Sequence, residues 1–318
     1  MRELLELAPC ISTQIQSVDR IIKESLSSNS KHLAGPRDHL LGSHGKGLRP
    51  VLVILWSSAW REEGTREETS IAPVVAEIAA AVELIHMASL VHDDLIDGSA
   101  TRRGVETLNA RFGARPSVLI GDFLFARAFQ LLARHKELGV LELMTDAISA
   151  MCEGELDQAA CSFSCSETEE AYLRRITQKT ASLLAASCHA GAVIGGASAE
   201  EIVNARTYGL ELGIAFQLTD DALDFVADPQ ELGKPTCQDL VCGVLSLPIL
   251  RLLAHEVLGP KAREVIESRQ FDPESVSWVR NAVLECGGID YAHERARHSL
   301  TRAAACAARL PASPSRQV

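Results

Sequence analysis

Apolar residues recur at spacings of three and four along most of the chain. The blocks are Leu4–Leu26, Pro50–Trp60, Ser70–Asp97, Pro116–Leu132 and Leu138–Cys161, then Glu167–Ile194, Ala199–Ala227, Gln238–His255, Pro273–Cys286 and Ile289–Ala308. That period places apolar side chains along one face of a helix. Alternating strand-like runs closed by Asn-Gly or Asp-Gly turns are absent, and the alanine and leucine content favours helix. The pattern predicts an all-α protein. Several blocks exceed twenty residues and are apolar on more than one side, as expected of helices buried within a large bundle.

No linker divides the blocks, so residues 1–310 read as one domain. The charged run 61–68 reads as a solvated connection, and the Pro/Ser-containing tail 311–318 as disordered. The most apolar long run, Ala72 to Val91, is interrupted by Glu77, Glu83 and His86, which argues against a membrane-spanning helix. The first residues carry acid early and show no apolar signal core, which leads to the expectation of a cytoplasmic protein. With 318 residues, 47% of them apolar, the chain can bury a sizeable core. Its net charge of −11 repels a phosphate backbone, so nucleic acid is not an expected partner. Nine scattered cysteines form no dense framework and no zinc-type spacing, which fits a reducing compartment.

Two acidic clusters of one design change the picture: Asp93-Asp94-Leu95-Ile96-Asp97 and Asp220-Asp221-Ala222-Leu223-Asp224, 127 residues apart and each within an apolar helical block. The first and last carboxylates of each cluster are four residues apart and share a helix face. A single such cluster is ordinarily a solvated surface, but two copies in apolar surroundings need cations to offset repulsion and desolvation. Hard, oxygen-liganded ions such as Mg²⁺ suit them, bound through a few carboxylates plus substrate phosphates and water. Basic residues accompany the clusters: Arg102-Arg103, Lys234, Lys46 with Arg49, and Lys179-Thr180. Arg and Lys hold phosphate oxygens, so this inventory suits two diphosphates. His86 lies seven residues before Asp93, two turns back on the same face.

These features, in order, resemble the trans-isoprenyl (polyprenyl) diphosphate synthase family. The likeness runs from Gly42 to about Leu310, through Gly45-Lys46-Gly47-Leu48-Arg49-Pro50, the segment Glu83 to Asp97, Arg102-Arg103-Gly104 and Gly121-Asp122. It continues through Gly154-Glu155, Lys179-Thr180, Phe216-Gln217 to Asp224, Gly233-Lys234-Pro235 and Asp239-Leu240. The resemblance implies an all-helical isoprenoid synthase fold with a central cavity, the clusters facing each other across its mouth, and a homodimer. It implies that Asp93, Asp94, Asp97, Asp220, Asp221 and Asp224 bind three Mg²⁺ ions bridged to an allylic diphosphate. Arg102, Lys179, Thr180, Gln217 and Lys234 match positions that hold that diphosphate. Lys46, Arg49, His86 and Arg103 match the pocket for isopentenyl diphosphate.

In this family, side chains below the first cluster set product length. Here Ala88 and Ser89, five and four residues before Asp93, are both small where synthases of short products tend to carry aromatics. Five helical residues descend about 7.5 Å, so a growing tail passes that level toward Leu84, Ile85 and Ala81. This implies a long-chain synthase, of the kind supplying quinone side chains, rather than a geranylgeranyl-type enzyme. Val244 after Gly243, where many members carry lysine, resembles solanesyl and decaprenyl synthases. Ser43-His44 departs from the family's more usual second glycine. Rival readings are a class I terpene cyclase, a regulatory subunit of a heteromeric synthase and a phosphohydrolase using His92-Asp93. Contact with a membrane surface for product release is also anticipated.

Overall fold

The computed structural model describes residues 9–28, 30–42, 47–60, 66–102, 104–135, 138–226 and 236–310. Helices α1 (Pro9–Ser25), α2 (Lys31–Gly42), α3 (Leu48–Ser58) and α4 (Arg66–Ile96) come first. A short hairpin follows, β1 (Thr101–Arg102) and β2 (Val105–Glu106), then α5 (Leu108–Phe112), α6 (Ala114–Arg134) and α7 (Leu138–Ala160). Next are α8 (Glu169–Ile176), a π-helical turn (Thr177–Ala181), α9 (Ser182–Gly195) and α10 (Ala199–Val226). The described remainder is α11 (Gln238–Val241), α12 (Leu247–Leu253), α13 (Gly259–Ser268), α14 (Pro273–Glu285) and α15 (Gly288–Ala307). The protein is all-α, as the apolar spacing predicts.

The chain divides into two compact units, one of residues 1–148, 183–209 and 305–318, the other of 149–182 and 210–304. The boundaries at 148/149 and 209/210 fall inside α7 and α10, so no change of composition marks them in the sequence.

In the first unit α4 is the central element, packed by α1, α3 and α6. Ala79, Ala80, Ala81, Val82, Leu84, Ile85 and Ala88 are all fully buried, which is why this helix is apolar on every side rather than striped. Each fully buried Leu or Ile contributes about 1.5–3 kcal/mol through lost water contact. Packing elsewhere in this unit depends on missing side chains. A Cβ on Gly191 of α9 would lie 2.5 Å from the Val53 carbonyl oxygen of α3, and one on Gly195 would lie 2.7 Å from that of Ser57.

The second unit is built around Tyr172, Leu218, Phe225, Leu240, Leu252, Ile266 and Val283. Arg280 of α14 donates to the Phe225 carbonyl at 2.7 Å and ties that helix to the end of α10. Asp272 caps α14, accepting from the backbone N–H groups of Glu274 and Ser275.

Several elements differ from the spacing-based expectation. Helix α2 contains Gly35 and Pro36, which conceal it from propensity, and Gly35 is where the Phe112 ring packs, 3.4 Å from a would-be Cβ. Helix α13 was likewise not expected. The block 167–194 is two α-helices joined by the π turn, and the block 238–255 breaks at Gly243, φ 86°, a conformation that favours glycine. The two-residue strands of the hairpin are too short to leave an alternating signal. By length and composition α4, from Ala72, and α6 reach what a bilayer span needs, but 72% of the apolar window of α4 is buried inside the protein, against 39% for α6. The run expected not to span is therefore a core helix. The anticipated tail, 311–318, and most of the charged run lie outside the described residues.

Replacing Gly191 by alanine is expected to destabilise the protein by about 1–3 kcal/mol in thermal or denaturant unfolding, even though alanine is the better helix former. The new methyl must push α9 off the α3 backbone.

Candidate active site

The first acidic cluster ends α4. Gly98, φ 62°, closes the helix, with Ser99 N–H donating to the Asp94 carbonyl at 2.9 Å and Gly98 N–H to that of Leu95 at 3.3 Å, the double bond pattern of a glycine-terminated helix. The cluster therefore lies at the electronegative end of the helix dipole. Asp93 is half-buried, Asp94 buried and Asp97 exposed. Asp94 accepts from Nε of Arg102 at 2.7 Å. Burial raises the Asp94 carboxyl above its ordinary range while the Arg102 charge and hydrogen bond pull it down. Arg102 is placed by the hairpin, which is itself pinned because His39 of α2 donates from Nε2 to the Glu106 carbonyl at 2.7 Å and contacts Arg111 at 3.2 Å.

The cluster is also braced from α6. Nε2 of His92 donates to the Val118 carbonyl at 3.2 Å, and the ring lies directly over Gly121, where any Cβ would collide with it. Gly121-Asp122 thus stands out in the sequence because the ring beside the first aspartate needs the space. A cavity of about 90 Å³ near this cluster is lined by Glu83, His86, Leu90, Asp94 and Arg102 among others, so His86, Asp94 and Arg102 share one enclosure. Its volume suits about three waters, less than an isoprenyl diphosphate needs. Lys46 and Arg103, expected beside it, lie outside the described residues, and Arg49 in the first turn of α3 is not part of its lining. Ala88 is fully buried, whereas Ser89 is half-buried with its hydroxyl donating to the His86 carbonyl at 2.9 Å. A roomier cleft of about 430 Å³, lined by Arg20, Glu77, Arg127 and Arg134 among others, holds none of the motif residues.

The second cluster lies in the last turns of α10 (Ala199–Val226). Asp220 is exposed, while Asp221 and Asp224 are buried. Both oxygens of Asp221 are engaged: Oδ2 accepts from the Tyr172 hydroxyl at 2.6 Å and Oδ1 from the Gln217 amide at 2.7 Å. Burial pushes its carboxyl up to about 7, against the lowering effect of those two hydrogen bonds. Thr180 donates to the Gln217 side-chain oxygen at 2.7 Å, so two residues expected to hold diphosphate form a relay onto the cluster. Asp224 Oδ2 accepts from Asp239 N–H at 3.3 Å, and the Asp224 carbonyl accepts from Cys237 N–H at 2.8 Å, joining α10 to α11.

Lys179 sits in the π turn, with its ammonium 2.5 Å from Oε2 of Glu155 on α7. The approach of α7 is possible because Gly154 lies against the π turn, 2.9 Å from Lys179 N at a would-be Cβ. Such wide turns recur at functional sites in helices. Lys234, the other expected cation of this unit, lies outside the described residues. Sequence reasoning missed Tyr172 and His92 as partners of the clusters. Glu155 was visible only as part of a marker.

Among the described residues no three His, Cys, Asp or Glu side chains already converge on a point that could hold a metal. The donor chemistry nevertheless fits a hard divalent ion: both clusters offer only carboxylate oxygens, and Asp97 and Asp220 are open to solvent. Ions that keep ligand positions for substrate oxygens and water require no complete protein cage.

Residues 30–283 match the Polyprenyl synthetase family. A solanesyl-diphosphate synthase, named as chloroplastic, from Oryza sativa subsp. japonica is 37% identical over 292 residues, 92% of this chain and 71% of that protein. An octaprenyl diphosphate synthase of Escherichia coli K12 is 36% identical over 304 residues, 94% of this chain and 91% of its own. The crystal structure of a polyprenyl synthase from Caulobacter crescentus, complexed with calcium and isoprenyl diphosphate, superposes with a TM-score of 0.90 at 33% identity, covering 99% of this chain and 94% of that one.

A Gly121→Ala variant is expected to displace the His92 ring and with it the end of α4, lowering kcat by about tenfold to a hundredfold while circular dichroism still reports a folded helical protein. A variant with wild-type kcat would show that this contact does not hold the cluster.

The likeness to long-chain prenyl diphosphate synthases holds at the level of sequence and fold, and the chain belongs to the polyprenyl synthetase family.

Proposed function

We propose that this chain, a prenyltransferase that condenses isopentenyl diphosphate with an allylic diphosphate to build a long-chain all-trans polyprenyl diphosphate, does so with its two acidic clusters binding the Mg²⁺ that accompanies diphosphate. The observation that carries the assignment of residues is that each cluster has a phosphate-binding candidate built in beside it. Arg102 is hydrogen-bonded to Asp94, and Thr180 is linked through Gln217 to Asp221.

In this reading Asp93, Asp94, Asp97, Asp220, Asp221 and Asp224 hold three Mg²⁺ ions, directly or through water. When bound, these ions neutralise charge on the departing diphosphate. Arg102, Lys179, Thr180, Gln217 and Lys234 orient the allylic diphosphate and stabilise the same developing charge, and of these Arg102, Thr180 and Gln217 are already held by hydrogen bonds at the clusters. Lys179 is shared with Glu155 until a diphosphate oxygen competes for it. Lys46, Arg49, His86 and Arg103 hold isopentenyl diphosphate. The carbon–oxygen bond of the allylic substrate breaks, the isopentenyl double bond attacks the cation, and one proton leaves to the released diphosphate. The fully buried column Ala81, Leu84, Ile85 and Ala88 supports a dry surrounding for that cation.

The small residues Ala88 and Ser89 support a long product of the kind that supplies quinone side chains, grown from a farnesyl or geranylgeranyl primer. A homodimer is supported by α6, whose outer face exposes Val118 and Leu119 at 41% and 60% and which is apolar yet little buried within its own chain. Contact with a membrane surface fits a product this apolar. The Polyprenyl synthetase match weighs against a terpene cyclase, and the two complete aspartate clusters weigh against a regulatory subunit.

The test is direct. Purified protein with Mg²⁺, isopentenyl diphosphate and farnesyl diphosphate is expected to yield long polyprenyl diphosphates. Asp93→Ala and Asp220→Ala are each expected to lose about a hundredfold or more in turnover with unfolding midpoints near wild type. Wild-type turnover in either variant would remove its cluster from the mechanism. Ser89→Phe, at the more accessible of the two ruler positions, and Ala88→Phe are expected to shorten the product on chromatographic sizing. An unchanged product ladder in both would place the ruler elsewhere.

A further inference from the structure

We propose that Tyr172, which belongs to none of the motifs, is a positioning residue of the second acidic cluster: its hydroxyl locks Asp221 as an anchor, so that the cluster offers Asp220 to the metal–diphosphate. This rests on the reading given under Proposed function and refines it.

The geometry is specific. Tyr172 is fully buried on α8, and its hydroxyl meets Oδ2 of Asp221 at 2.6 Å, across 49 residues of sequence. Gln217 occupies Oδ1 at 2.7 Å and is itself fixed by Thr180 at 2.7 Å. Asp221 is only 5% exposed, so a carboxylate held from both sides has little surface left to offer an ion, whereas its neighbour Asp220 is exposed. The tyrosine ring is clamped as well. The Arg175 guanidinium lies 5.4 Å from its centroid and is tied to Glu167, Gln158 and the Leu245 carbonyl.

The choice of donor matters. Asp94 of the first cluster is paired with a cation, Arg102, whereas Asp221 is paired with a phenol and an amide. Neutral donors orient a carboxylate without cancelling its charge, and the cation nearest the ring is already matched by Glu167 at 3.2 Å. The geometry of the second cluster is therefore fixed by neutral partners that do not compete with Mg²⁺ for it. Outer partners of this sort commonly change metal affinity about tenfold to a hundredfold when removed.

The test uses the full chain and compares Tyr172→Phe, which keeps the ring and deletes the donor, with wild type and with Asp220→Ala. Half-saturating Mg²⁺ in the condensation assay is expected to rise about tenfold in Tyr172→Phe, with KM for isopentenyl diphosphate unchanged. Calorimetric titration of Mg²⁺ into protein with a non-reacting allylic thiodiphosphate is expected to show the same loss without turnover. Tyr172→3-fluorotyrosine, which keeps both ring and donor, is expected to behave as wild type. Wild-type Mg²⁺ dependence in Tyr172→Phe overturns the inference, as does a fall in kcat with unaltered Mg²⁺ affinity or a failure of the fluorinated residue to restore it. If Asp220→Ala keeps full turnover, the role given to the cluster fails. If Asp220→Ala is inactive while Tyr172→Phe matches wild type, only the role of Tyr172 fails.

Discussion

A carboxylate withdrawn from water must meet donors or cations, and two carboxylates placed side by side make that requirement harder to satisfy. In each acidic cluster the second aspartate is buried, joined in the second cluster by Asp224, and much of the surrounding structure supplies partners for them. For Asp94 the partner arrives on a hairpin of two-residue strands, held in turn by His39 from α2. For Asp221 it arrives on α8, with Gln217 one turn earlier on its own helix. Secondary structure that looks incidental, a hairpin of two-residue strands or a short helix, exists where a buried charge needs an answer.

Close packing of small residues does the rest. Gly191 and Gly195 let α9 lie on the α3 backbone, Gly154 brings α7 against the π turn, and Gly121 makes room for the His92 ring. A wall of alanines on α4 serves the same end, since a smooth helix can be surrounded on all sides. Rigid placement of this kind suits electrostatic catalysis, in which charges must be in position before the substrate bond begins to break.

The long helices and the two clusters were legible because both depend on local spacing: apolar periods of three and four, and aspartates four apart. Helix α2 was not, because Gly35 and Pro36 contradict helix propensity and only the Phe112 ring packed on Gly35 explains the first of them. The basic residues near each cluster were visible in number but not in pairing. Arg102 to Asp94 spans eight residues and could be guessed, but Lys179 to Glu155 spans 24 and Tyr172 to Asp221 spans 49. Tyr172 carried no signal at all, being one of three tyrosines in the chain and set between the charged residues of Glu169–Ile176. Lys46, Arg103 and Lys234 lie outside the described residues, so their contacts do not enter this comparison.

Both clusters terminate long helices, α4 at Ile96 and α10 at Val226, and so stack side-chain charge onto carbonyls that already carry roughly half an elementary charge between them. Like charges therefore crowd in these last turns. Counter-ions recruited for chemistry would then also keep those turns wound, and chelation would be felt first as faster amide hydrogen exchange creeping back from residues 97 and 226, ahead of any loss from the alanine-lined interior.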